Sequence, residues 1–141
     1  MGYDTKFSGS LALSRSLTIA EAKVLLEANE EPDSIQGDHP SSYMQWVPTQ
    51  SLDAIVYDGN EKFYEYDKWM AWLLAHLATL GISANGDIFW QGESIGDIGT
   101  LSIKDGILTV IKGANSKAGT GKPMTLDGLA RMALNLATQA A

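Results

Sequence analysis

Apolar and polar residues alternate through TKFSGSLAL, residues 5–13, with Phe7, Leu11 and Leu13 on one side and Ser8, Ser10 and Ala12 on the other. A period of two marks a strand with one wet face. The period then changes. In SLTIAEAKVLLEAN, Ala22, Leu25 and Leu26 recur at helical spacing, behind Thr18 as N-cap and Glu21 as its capping-box partner. This helix is predicted to end near Asn29. Residues 30–42, EEPDSIQGDHPSS, are breakers and charges. They read as a surface loop, long enough to be a candidate for variation or function. YMQWVPT and LDAIVYDG then look like two strands, with Pro48 between them or at a sheet edge, where its missing N–H is tolerated.

Residues 63–80, FYEYDKWMAWLLAHLATL, carry the strongest helical pattern: Phe63, Tyr66, Trp69, Leu73, Leu77 and Leu80 step by three or four. Met70 and Leu74 widen the stripe, and Gly81 is placed to end the helix. Asn60 and Asp67 are its two candidate caps. Trp72 falls about 60° or more off the stripe centre, which predicts half burial. Strands follow at 86–92, 99–104 and 107–112. The last two form a hairpin around Asp105-Gly106, a pair that favours a type I′ turn. Its register sets Leu101 opposite Val110, Ile103 opposite Leu108 and Ser102 opposite Thr109. Residues 114–123 read as a flexible linker and 124–141 as a C-terminal helix capped by Thr125, both outside a core domain of residues 1–113. With only Asp127 and Arg131 charged, that helix needs a surface, its own core or another copy.

The first six elements run β-α-β-β-α-β. That is the split-βαβ, ferredoxin-like order, and it predicts an α+β fold with two further strands, helices on one face of the sheet, and an added C-terminal helix, a sheet of other strand order being the alternative.

Composition narrows the function. The 141 residues are 45% hydrophobic and 19% charged, those of an ordered globular protein. There is no cysteine, so disulfides, thiolate zinc sites and cysteine nucleophiles are excluded. A net charge of −7 disfavours binding nucleic acid through its phosphates. No apolar run reaches membrane length, and a cytoplasmic location is expected (the host cytoplasm, if the gene is a phage's).

No motif brings a cofactor or metal. SKAGTGKPM resembles a phosphate loop only at Gly121-Lys122. Ser116 replaces the first glycine, and Pro123 replaces the magnesium-binding hydroxyl residue and deletes a backbone N–H. His39 and His76 lack ligand spacing, and Asp87, Glu93, Asp97 and Asp105 do not follow an EF-hand pattern. No G-x-S-x-G nucleophile elbow occurs. Between residues 43 and 90 the chain is dense in aromatics. On the strand 86–92, Phe89 and Trp90 must point to opposite faces.

QWVPT, DGNEKFYEYDKWMAWLLAHL and NGDIFWQGESIGDIGTLSIKDG, with the opening MGYDTKFSG, resemble a family of small uncharacterised bacterial and phage proteins. The shared pattern is QWVPT, then E-K-F-Y-x-Y-x-x-W, then N-G-x-(I/V)-x-W-Q-G-E and D-x-G. The resemblance implies no activity. Two readings of the matched residues stand side by side. In one, Gln91 and Glu93 bond backbone at the start of the second helix and lock helix to sheet. In the other, Glu61, Glu65, Gln91, Glu93 and Asp97 line a polar cleft beside Trp90. The residues to watch are therefore Glu61, Trp72, Trp90, Gln91, Glu93 and Asp97. The first functional expectation is a non-enzymatic module with a protein partner, self-association through the C-terminal helix being one form of it. The alternative is a small-ligand binder or hydrolase-like enzyme using the carboxylates beside Trp90.

Overall fold

β1 (Thr5–Leu13) lies inside the sheet, between β3 (Ala54–Tyr57) and β4 (Ala84–Gly92). The computed structural model describes residues 2–35, 39–40, 43–113 and 123–140, with backbone only for 135–140. β2 (Trp46–Pro48), β5 (Ile98–Lys104) and β6 (Ile107–Lys112) complete a six-stranded sheet in the order β2-β3-β1-β4-β5-β6. Every pairing is antiparallel. The first four strands thus take the split-βαβ order. Three helices accompany them: α1 (Ile19–Glu30), α2 (Tyr66–Thr79) and α3 (Leu126–Ala140). The fold is α+β, as the alternation of periods predicts.

β1 pairs with β4 over its whole length, from Thr5 opposite Gly92 to Leu13 opposite Ala84. The pleat sends Phe7 and Leu11 into the core with Ile88 and Trp90, while Lys6 and Gln91 face the other way. Phe7 is the hub of an aromatic cluster. Its ring lies 4.9 Å from Trp46 and from Tyr57, 5.0 Å from Tyr66 and 5.8 Å from Phe63. Tyr66 continues the cluster to Trp90 at 5.8 Å. Edge-to-face and tilted pairs of this kind add about 0.5–1.5 kcal/mol each beyond area burial. Phe89 stands on the opposite sheet face, half-buried between Ser8 and Thr100 of the flanking strands.

α1 begins as the sequence predicts. Thr18 accepts from Glu21 N, and the Glu21 carboxylate accepts from Thr18 N. Arg15 extends this cap. Its guanidinium donates to both Glu21 oxygens at 2.8 and 2.9 Å and to the Leu80 carbonyl at 2.9 Å, joining the start of α1 to the end of α2. α1 buries Ala22, Leu25, Leu26 and Ala28, and ends at Glu30, one residue beyond expectation. A 3₁₀ turn (Pro32–Ser34) follows; residues 36–38 and 41–42 of the predicted loop lie outside the described residues.

α2 begins three residues later than its periodicity predicts, at Tyr66 instead of Phe63. Lys62 (φ 62°) and Glu65 (φ 54°) adopt left-handed backbone, which interrupts any helix. Phe63 keeps helical spacing but serves the aromatic cluster, 4.9 Å from Trp46, from a loop. Neither Asn60 nor Asp67 caps the helix; Glu65 holds the N-cap position and makes no capping bond. At the other end Leu80 and Gly81 (φ 73°) close α2 as expected. Pro48 does sit on an edge strand: β2 is the outermost strand, its Pro48 carbonyl accepts from Met124 N, and Thr49 bridges to Pro123.

The hairpin matches its predicted register, with Leu101 opposite Val110, Ser102 opposite Thr109 and Ile103 opposite Leu108. Both turn residues have positive φ, 49° at Asp105 and 78° at Gly106, as a type I′ turn requires. The predicted linker, residues 114–123, lies outside the described residues except for Pro123. α3 packs on α1 within the same chain. Leu129 and Met124 are buried in the common core, and Glu30 accepts from Leu126 N.

The Arg15–Glu21 pair yields a pH prediction. The Arg15 hydrogen bonds, then the Thr18 backbone N–H, hold Glu21 near 2, below its usual 4.5. A depressed carboxylate stabilises the fold above its unfolded pKa, and that contribution fades as pH falls from about 4.5 toward 2. Urea midpoints of the wild type and Glu21→Gln should therefore differ at neutral pH and converge in acid. A difference that stays constant over this range would contradict the assignment.

Candidate functional site beside Trp90

The register of β1 against β4 decides what lies beside Trp90. Because Thr5 is opposite Gly92, the residues before β1 run on past the end of β4 and meet the loop 93–97. Tyr3 donates its hydroxyl hydrogen to Asp97 Oδ2 at 2.6 Å, and its oxygen accepts from Ser94 N at 2.9 Å. Asp97 Oδ1 accepts from Trp90 Nε1 at 3.0 Å. Asp4 N donates to Glu93 Oε1 at 2.8 Å, and Asp4 Oδ1 accepts from Lys62 N at 3.1 Å. The N-terminal segment is thus stitched on one side to the loop after β4 and on the other to the lead-in of α2.

Two glycines of WQGESIGDIG make this closeness achievable. A Cβ at Gly92 would overlap the Asp97 carboxylate and the Tyr3 hydroxyl. At Gly99, opposite Trp90 in the β4–β5 pairing, a Cβ would fall within the indole ring. Trp90 is accordingly 3% exposed, its ring over Gly99 and its N–H on Asp97.

The six residues singled out in the sequence do not form one cleft. Trp90 and Asp97 are bonded, and Glu93 belongs to the same loop. Gln91 is exposed on the opposite sheet face, beside Lys6. Glu61 is exposed, and its backbone carbonyl accepts from Gln45 Nε2. Trp72 sits on α2, half-buried as its helical angle predicts, stacked on His76 at 5.4 Å and edge-on to Trp69 at 5.4 Å. Burial lowers the His76 pKa, against a smaller opposing pull from the Glu21 charge. Glu93 does lock elements together, but its partner is the backbone before β1 and not the start of α2.

No motif marks Tyr3 or Asp4 for this role. The signal lay in the strand register, which extends the β1–β4 ladder until residues 3 and 4 reach the loop 93–97.

Burial, with the nearby Asp97 charge, raises Tyr66 to about 12. Burial raises Tyr57 further, and its hydroxyl donates to the Asn60 carbonyl. Both phenols therefore remain protonated at neutral pH. A concavity of about 480 Å³ lies next to Tyr57, lined by Asp4, Lys6, Asp58, Gly59, Glu61 and Pro123. Among the described residues no group of three or more His, Asp or Glu side chains is placed to hold a metal ion. Nor is any described helix long and apolar enough to cross a membrane.

The chain matches no family model, no curated protein and no solved structure.

Asp97 accepts from two side chains, and its loss takes the acceptor from the buried Trp90 indole N–H, while the exposed Tyr3 hydroxyl can turn to water. Asp97→Ala should cost about 1–3 kcal/mol by chemical denaturation, the scale for orphaning buried polar groups. Asp97→Asn keeps one acceptor oxygen and should cost less. Equal stability of Asp97→Ala and wild type would remove Asp97 from this role.

Proposed function

We propose that this chain is a non-enzymatic protein-interaction module, a small accessory protein of the bacterial and phage kind its motifs resemble, acting in the cytoplasm. The observation that carries the reading is an apolar strand at the sheet edge, with no further strand paired to it among the described residues. On β6, Ile107 is 70% exposed, Val110 43% and Ile111 44%. An edge of this kind invites pairing with another chain, and soluble proteins ordinarily blunt it with charge, proline or a cover. The enzyme reading has less support. The carboxylates nearest Trp90, those of Glu93 and Asp97, already accept from Asp4 N, Tyr3 and Trp90. A catalytic carboxylate needs room for the group it acts on.

Self-association through α3 is the narrower form of the reading. Leu129 is already buried in its own chain, so among the described side chains of α3 a second copy would meet Leu134, 68% exposed. Removing the tail would uncover α1, so a point change is the better probe of any surface here.

The test is capture of partners from a bacterial lysate with the intact chain and with a β6 double variant, Ile107→Lys with Val110→Lys. Both side chains are exposed, so thermal unfolding should change little. Proteins retained by the wild type and lost by the variant are expected. Identical captures by the two baits would refute the reading.

A further inference from the structure

The β6 edge has a direction, a spacing and a charge, and together they specify what fits it. In the hairpin, Lys104 and Ile107 flank a two-residue turn and form the first hydrogen-bonded pair. Alternation then points the backbone groups of Ile107, Thr109 and Ile111 at β5. Those of Leu108, Val110 and Lys112 point outward, away from the sheet. β6 is the last strand of the sheet, so these three residues offer an alternating row of N–H donors and C=O acceptors at strand spacing. The side chains of Ile107, Thr109 and Ile111 lie on one face of that row, and those of Leu108 and Val110 on the other. From Ile107 to Ile111 no residue is charged.

Along the described residues of the edge and its hairpin, bases outnumber acids, against the balance of the whole chain. Acids outnumber bases 17 to 10 overall. Yet from residue 98 to residue 113 the chain carries Lys104 and Lys112 against one acid, Asp105. Lys104 ends β5 opposite Ile107, at the turn end of β6, and Lys112 lies at the far end of β6, both exposed. A partner strand lying along β6 therefore meets an uncharged middle with a lysine near each end.

On this basis, and resting on the interaction-module reading above, we propose that β6 binds an extended segment of another protein by strand addition, and that the segment is apolar in the middle and acidic at its ends. Main-chain bonds to Leu108, Val110 and Lys112 supply the pairing, and the lysines select the flanking charge. A second copy of this chain is the less suitable occupant. Each copy brings a net charge of −7, and its own β6 would set lysines near lysines instead of acids.

The test uses the isotopically labelled intact chain and two synthetic peptides. Both have an alternating Val-Thr centre; one is flanked by glutamates and the other by lysines. Amide NMR shifts on titration should map to Leu108, Val110 and Lys112. The glutamate-flanked peptide should bind about tenfold more tightly at low salt, with the preference shrinking as salt rises. Lys112→Glu alters an exposed side chain and should weaken or reverse the preference without unfolding the protein. The proposal falls if neither peptide moves the β6 amides, if both titrate alike, or if these amides shift with protein concentration alone, which is the mark of a second copy. If the peptides fail while the lysate experiment still separates wild type from the β6 double variant, strand addition is wrong and the interaction-module reading survives.

Discussion

The structure depends on β1 being inserted between β3 and β4. This strand, from the beginning of the chain, pairs with residues 54–55 on one side and with 84–92 on the other. The sheet is therefore complete only when the second crossover has been made. Phe7 enforces the same order by packing, because four aromatic rings from β2, β3, α2 and the loop before α2 close on it. Long-range pairing of this sort carries a loop-closure cost before any contact repays it. The aromatic cluster supplies apolar burial at the place where that cost falls.

The surroundings of Trp90 follow from the same insertion. Once Thr5 is set opposite Gly92, Tyr3 and Asp4 have little choice of neighbours. They fill the space into which Glu93 and Asp97 would otherwise open. The acidic, glycine-punctuated loop thereby turns into a socket for the N-terminal segment. Proximity explains the glycines that flank it, since Gly92 and Gly99 stand where a Cβ would collide with Asp97, Tyr3 or the Trp90 ring, whereas Gly96 within it has open space and a left-handed φ of 87°.

What was legible in the sequence was local. The Thr18–Glu21 box, the Gly81 stop and the Asp105-Gly106 hairpin each depend on neighbours within a few positions, and each was read with its register or boundary nearly right. The split-βαβ order also followed, because it needs only the sequence of element types. The start of α2 did not. Phe63 satisfies a helical period, but left-handed backbone at Lys62 and Glu65 turns it into the core from a loop, which no periodicity reveals. The site was the least legible part. One of the two partners of Asp97 lies 94 positions away at Tyr3, and Gln91 points to the opposite sheet face from Trp90. Only the pairing register of β1 brings the first contact about.

The measurement that tests this account most directly is hydrogen exchange of the Trp90 indole N–H in the intact protein. If the bond to Asp97 is part of the core, that proton exchanges only through global unfolding. Its exchange free energy should then fall with denaturant as steeply as those of the slowest β1 and β4 amides. An indole proton that exchanges quickly, with little denaturant dependence, would show the loop 93–97 opening on its own and would return the region beside Trp90 to the status of an accessible cleft.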